Sequence, residues 1–81
     1  MSDVNRQVDD VLDLKGEVCP YTFVKSKLAL EDMESGEVLR VILDNPGSAR
    51  NVPRSLSSEG HQILDVVQLN STEWAITVRK A

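Results

Sequence analysis

The chain has 81 residues, 41% of them hydrophobic, with nine basic against thirteen acidic side chains and a formal net charge of −4. That length supports one small domain over residues 1–81, near the size at which about 60% of the unfolded surface is buried, and argues against a large enclosed reaction chamber. The acidic balance and scattered basic residues exclude a phosphate-backbone binder, and no apolar run approaches the ~18 residues of a membrane span, so neither nucleic acid nor membrane is expected as a partner.

A single cysteine cannot close an internal disulfide. A secreted domain this small usually carries several, so the compartment reads as reducing. The opening Met1-Ser2-Asp3-Val4-Asn5-Arg6 lacks the charged-then-apolar layout of a secretory signal, and the expected location is cytoplasmic.

Residues 1–9 are polar without sustained periodicity and read as a mobile lead-in. Val11-Leu12-Asp13-Leu14 reads as a short strand that enters a turn at Lys15-Gly16. From Pro20 to about Glu34 the residues are good helix formers, with Val24 and Leu28 four apart and Tyr21, Ala29 and Met33 widening the apolar stripe. Ser35-Gly36 stops that helix. Glu31, Asp32 and Glu34 crowd its carboxyl end, where the helix dipole disfavours negative charge, and read as solvated.

Glu37–Leu43 is near-continuously apolar and β-branched, as a central strand should be. Asp44-Asn45-Pro46-Gly47 closes it. A second helix is expected from around Pro46 to Ser48, with Ala49, Val52 and Leu56 on its apolar face. Pro53 should kink or divide this helix, and Gly60 should end it. His61 to Leu69, with Ile63, Val67 and Leu69 in alternation, and Trp74, Ile76 and Val78 after an Asn70-Ser71 turn, predict an antiparallel hairpin. In the last strand Trp74, Ile76 and Val78 should face the core and Thr77 and Arg79 the other side. The order β-α-β-α-β-β, with right-handed crossovers, gives an α/β two-layer sandwich: a four-stranded mixed sheet with two helices on one face.

The chemistry concentrates at Gly16-Glu17-Val18-Cys19-Pro20-Tyr21-Thr22. Proline is favoured at the first helical position, which makes Pro20 N1 and Cys19 the N-cap. A thiol there would meet the positive end of the helix dipole and the amides of Tyr21 and Thr22, conditions that favour thiolate over thiol. The competing reading is a small, buried, inert cysteine. One Cys and one His without ligand spacing make no metal site, no glycine-rich phosphate loop is present, and His61, at the start of a strand, reads as structural. An accessible thiol on so small a domain suits a persulfide passed between larger proteins; no resident cofactor is needed. A protein-binding or regulatory module and a redox-sensing thiol are the alternatives. Lys15, Lys25 and Lys27 flank the segment and read either as a local positive patch or as a solvated face.

Leu14-Lys15-Gly16-Glu17-Val18-Cys19-Pro20, the helix with Lys25 and Lys27, Met33-Glu34-Ser35-Gly36-Glu37-Val38, Asp44-Asn45-Pro46, Gly60-His61 and Trp74–Lys80 together resemble the TusA/SirA family of small sulfur carriers. The resemblance covers roughly residues 11–80. It implies a two-layer sandwich and a Cys19 that accepts sulfane sulfur from a cysteine desulfurase or rhodanese-like donor. The sulfur would pass to a downstream acceptor protein in tRNA thiolation, molybdenum cofactor maturation or sulfur oxidation, the chain acting as a persulfide carrier rather than a stand-alone enzyme. Cys19 and Pro20 match the family's Cys-Pro-x-Pro motif directly. Thr22 replaces the second proline, restoring an N–H and adding a hydroxyl that could bond the Cys19 sulfur and favour its charged form. Glu17, Tyr21, Lys25 and Lys27 are the candidates for partner contact.

Overall fold

The computed structural model describes residues 8–18 and 21–81. The chain runs through β1 (Asp10–Asp13), α1 (Tyr21–Glu31), β2 (Val38–Leu43), α2 (Pro46–Ser58), β3 (Gln62–Asn70) and β4 (Glu73–Arg79). One sheet takes all four strands in the order β1-β2-β4-β3. β1 is parallel to β2, and the other two pairings are antiparallel. Leu39, Val41 and Leu43 of β2 and Ile76 and Val78 of β4 meet Leu30 of α1 and Ala49, Val52 and Leu56 of α2 in one buried cluster. Both helices therefore cover the same face of the mixed sheet, the architecture anticipated from the order of elements.

α2 is fixed at both ends by its own sequence. Asn45 caps it, its side chain accepting from the Ser48 amide at 3.1 Å with Pro46 following at the helix start, the arrangement that satisfies one unpaired donor and uses a residue lacking another. At the far end Gly60 sits at φ +100. The Gly60 amide donates to the Ser57 carbonyl and the His61 amide to the Leu56 carbonyl, which is the double closure of a Schellman motif. Pro53 does not divide the helix, which is continuous from Pro46 to Ser58.

Two expectations are corrected. α1 carries apolar residues on both sides: Leu30 is buried and Phe23, Ala29 and Met33 pack against the core, but Tyr21, Val24 and Leu28 are exposed while Thr22 and Ser26 are buried. The polar pair goes inside because its hydrogen bonds close locally. Ser26 Oγ donates to the Thr22 carbonyl at 2.8 Å, and Thr22 Oγ1 donates to Ser48 Oγ of α2 at 3.2 Å. Small, satisfied side chains let the two helices approach where a larger aliphatic one would hold them apart. In β3 the alternation slips at two irregularities, between Ile63 and Asp65 and between Gln68 and Asn70, leaving Leu64 and Leu69 as extra residues. Ile63 thus packs against the core while Val67 and Leu69 are exposed. Of the lead-in, Asp9 bonds Val38 through both its amide and its carboxylate, at 2.8 Å each. The expectation for residues 1–7 lies outside the described residues. No helix of the described residues is long and apolar enough to cross a membrane.

Candidate functional site

The loop before Cys19 is pinned at each step. The Leu14 amide still donates to the Ile42 carbonyl of β2 at 2.9 Å, the Lys15 amide to Asp13 Oδ1 at 3.0 Å, and the Glu17 amide to the Leu14 carbonyl at 3.0 Å. Gly16 stands at φ +91, in left-handed backbone that suits glycine, and its amide donates to Asp44 Oδ1 at 3.0 Å. Asp44 directly follows β2 and Asp13 ends the parallel β1, so the turn is held across the carboxyl ends of the two strands.

Val18 then starts the helix. Its carbonyl accepts from the Tyr21 amide at 2.8 Å and from the Thr22 amide at 3.3 Å. The expectation that the amides of Tyr21 and Thr22 face the thiol turns on Cys19, which lies outside the described residues. The positions of Cys19 and Pro20 themselves, and the expectations of N-cap and N1, lie outside the described residues. Residue 19 follows an exposed Val18 and stands two residues before an exposed Tyr21.

Thr22 is fully buried, and its Oγ1 lies 3.2 Å from Ser48 Oγ. It ties the first turn of α1 to the first turn of α2. Ser48 and Asp44 were both missed in the sequence. Asp44-Asn45-Pro46 is legible as a capped helix start, but nothing in it signals that Asp44 reaches back 28 residues to the Gly16 amide.

The lysines do not form a positive patch. Lys25 Nζ lies 2.8 Å from Glu17 Oε2, Lys27 Nζ lies 3.4 Å from Glu59 Oε1, and Lys15 Nζ lies 3.9 Å from Asp13 and 4.0 Å from Glu73. Each of these cations faces a carboxylate. Several uncharged side chains are exposed as well: Tyr21 is 60% exposed, Leu28 55%, Val18 50% and Val24 43%. Tyr21, Val24 and Leu28 stand three and four residues apart, on one stripe of the helix.

His61 is not a partner for the cysteine. Its Nδ1 accepts from the Ala81 amide at 3.1 Å, and the neighbouring Gln62 pairs with Arg79, which in turn pairs with Val38. That row starts β2, whereas the loop leaves from its other end, about 17 Å away at ~3.4 Å per residue. Burial holds the His61 pKa below its ordinary value, and Lys80 adds to the lowering while Glu59 opposes it. Among the described residues no cluster of three His, Cys, Asp or Glu side chains is placed to hold a metal.

Residues 10–80 match the family model described as Sulfurtransferase TusA. The chain belongs to the TusA family. This TusA-family chain is 50% identical over 78 residues to a provisionally named sulfur carrier protein of Archaeoglobus fulgidus, covering 94% of this chain and 89% of that one. It is 37% identical over 70 residues to the provisionally named sulfur carrier protein TsuB of Escherichia coli, with 86% and 93% covered. Among solved structures, the crystal structure of a SirA-like protein from Desulfitobacterium hafniense matches with a TM-score of 0.77 at 27% identity, over 86% of this chain and 95% of that one. Family and relatives together support a sulfur-carrier role for this TusA-family chain, and such a role implies a sulfur donor and a sulfur acceptor as protein partners.

Proposed function

We propose that the protein carries sulfane sulfur as a persulfide on Cys19. The Cys19 thiolate attacks the outer sulfur of a donor persulfide R–S–SH. The donor's S–S bond breaks, R–S⁻ leaves, and Cys19–S–SH forms with the transferred sulfur and its proton. A thiolate of the acceptor protein then attacks the outer sulfur and releases Cys19 as thiolate again. Both steps are thiol–disulfide-type exchanges with no net oxidation, and their rates follow thiolate fraction and access.

What supports this most is the match of residues 10–80 to the Sulfurtransferase TusA family, together with a loop before Cys19 that is held by the Gly16–Asp44 bond and an exposed Val18 next to Cys19 in sequence. The dipole of the 11-residue α1 favours an anion at its amino end. The donor in this reading is a cysteine desulfurase or rhodanese-like protein. The acceptor serves tRNA thiolation, molybdenum cofactor maturation or sulfur oxidation. The chain is a carrier that must meet two partners, with no resident cofactor, working in the reducing cytoplasm where a lone thiol is kept available.

Mass spectrometry after incubation with inorganic polysulfide is the test. Wild-type protein gains the mass of one sulfur atom and Cys19→Ser does not, with both folded by circular dichroism. Sulfur uptake equal in the two proteins, or in neither, overturns the reading.

A further inference from the structure

One short turn holds the cysteine segment from both sides. The Gly16 amide donates to Asp44 Oδ1 at 3.0 Å, and Thr22 Oγ1 lies 3.2 Å from Ser48 Oγ. Gly16 stands three residues before Cys19 in sequence and Thr22 three residues after it. Residues 44–48, which supply both partners, form a stiff turn. Asn45 Oδ1 accepts from the Ser48 amide at 3.1 Å, and the Asn45 carbonyl accepts from the Ala49 amide at 2.9 Å. Pro46 fixes one backbone angle between them, and a Cβ on Gly47 would stand 3.1 Å from Asn45 Oδ1. The two holds differ in kind: Ser48 and Thr22 form a buried joint between helices, whereas Asp44 is exposed and reaches a loop amide.

We infer that Asp44 is a positioning residue for Cys19: its bond to the Gly16 amide, acting with the contact between Ser48 and Thr22, fixes both ends of residues 16–22 and so sets the reactivity of the thiol carried between them. The inference rests on the persulfide reading above and adds which side chain outside the cysteine segment that chemistry depends on. With Asp44 removed, the loop from Gly16 onward keeps the bond from the Glu17 amide to the Leu14 carbonyl, within the loop itself, but loses its tie to β2 and α2. An unconstrained cysteine, with a pKa of about 8.5, is only a few per cent thiolate at pH 7, whereas thiols held at helix amino ends ionise more readily. Release of the loop therefore lowers the thiolate fraction. The stronger intrinsic nucleophilicity of a more basic thiol offsets part of that loss, leaving a deficit on the order of tenfold.

Asp44→Ala compared with Asp44→Asn isolates the hydrogen bond. Both lose the carboxylate charge, and asparagine keeps an oxygen that accepts. Asp13, Lys15, Glu17 and Lys25, the charged groups of the loop and of the adjoining turn of α1, are the same in both variants, so their fields cancel in the comparison. Alkylation by iodoacetamide, which reacts with the thiolate, is followed by mass spectrometry on the full chain, whose one cysteine takes the label. Circular dichroism checks folding. At about pH 7 Asp44→Ala should react about tenfold more slowly than Asp44→Asn, which stays within about threefold of wild type. At about pH 9.5, above the free-thiol pKa of about 8.5, the three should agree within about twofold, because a change in packing or access alone would slow alkylation equally at both pH values. Ser48→Ala releases the other end without a change of charge and should show the same pH-dependent deficit against wild type; it carries the test if Asp44→Ala does not fold.

Alanine and asparagine variants that react alike at about pH 7, or a deficit that persists at about pH 9.5, would overturn the positioning role while leaving the carrier reading intact. Failure of wild type to take up sulfur from polysulfide would overturn the carrier reading, and the alkylation rates would still decide whether Asp44 sets the reactivity of the thiol.

Discussion

Thr22 Oγ1 and Ser48 Oγ are 3.2 Å apart with both side chains fully buried, joining the first turns of the two helices. Neutral hydrogen bonds of this kind contribute about 1 kcal/mol net. Thr22→Val keeps the shape and removes the donor, and Ser48→Ala removes the acceptor. Each should destabilise the fold by about 0.5–2 kcal/mol in urea unfolding, and the double variant should lose less than the sum. Strict additivity would show that the two hydroxyls are not coupled.

Gly16 holds the loop before Cys19 at φ +91, and a Cβ added there meets nothing within 4 Å. Any cost of substitution is therefore backbone strain, about 1–2 kcal/mol for an ordinary L residue. Asparagine tolerates left-handed backbone better than alanine does, and β-branched residues do so worst. Stability should thus fall in the order Gly16→Asn, Gly16→Ala, Gly16→Val. An alanine variant as stable as wild type would mean that the loop relaxes out of this conformation.

His61 accepts a hydrogen bond from the Ala81 amide through Nδ1, which requires an unprotonated nitrogen. Burial and Lys80 lower its pKa from the ordinary 6.5. The folded state then binds this proton less readily than the unfolded one, so the stability contributed is fully present above pH 6.5 and is lost as pH falls through the lower folded-state value. Thermal melts at pH 7.5 and pH 5 should show wild type losing more than His61→Gln, whose amide oxygen accepts at either pH. Equal losses would remove His61 as the cause.

Arg40 Nε is buried and has no hydrogen-bond partner among the described residues. The residue sits in the middle of β2 between Val11 of β1 and Thr77 of β4. A buried donor left unsatisfied costs about 1–3 kcal/mol. Arg40→Met keeps most of the aliphatic stem without that donor, and it should be neutral or stabilising by up to about 1 kcal/mol in the same unfolding assay. A loss beyond about 1 kcal/mol would show that the guanidinium is satisfied in solution.

The sheet was legible because its strands obey the rules that periodicity reads: β2 is a near-continuous apolar run, and β4 alternates with Trp74, Ile76 and Val78 toward the helices. The ends of α2 were legible for the same reason, since Asn45-Pro46 and Gly60 act through local backbone geometry. α1 was misread because a hydrophobic stripe is informative only when the core claims it. Here Thr22 and Ser26 close their hydrogen bonds within the helix pair, a compensation that involves a residue 26 positions away. The lysines read two ways on the same ground. Lys25 and Lys27 look like free charge until Glu17 and Glu59 are brought beside them by the fold. In β3 each inserted residue shifts the phase, which is why Val67 and Leu69 fall on the exposed side.

Those two insertions bear on a hazard that a small molecule with an apolar exterior otherwise faces. β3 is an edge of the sheet, and a straight nine-residue edge would invite another copy to add on, strand to strand, into a growing ribbon. Leu64 and Leu69 break the even row of amides and carbonyls at two points, and at the other edge β1 offers only four residues. A second molecule finds no long register to zip along at either border.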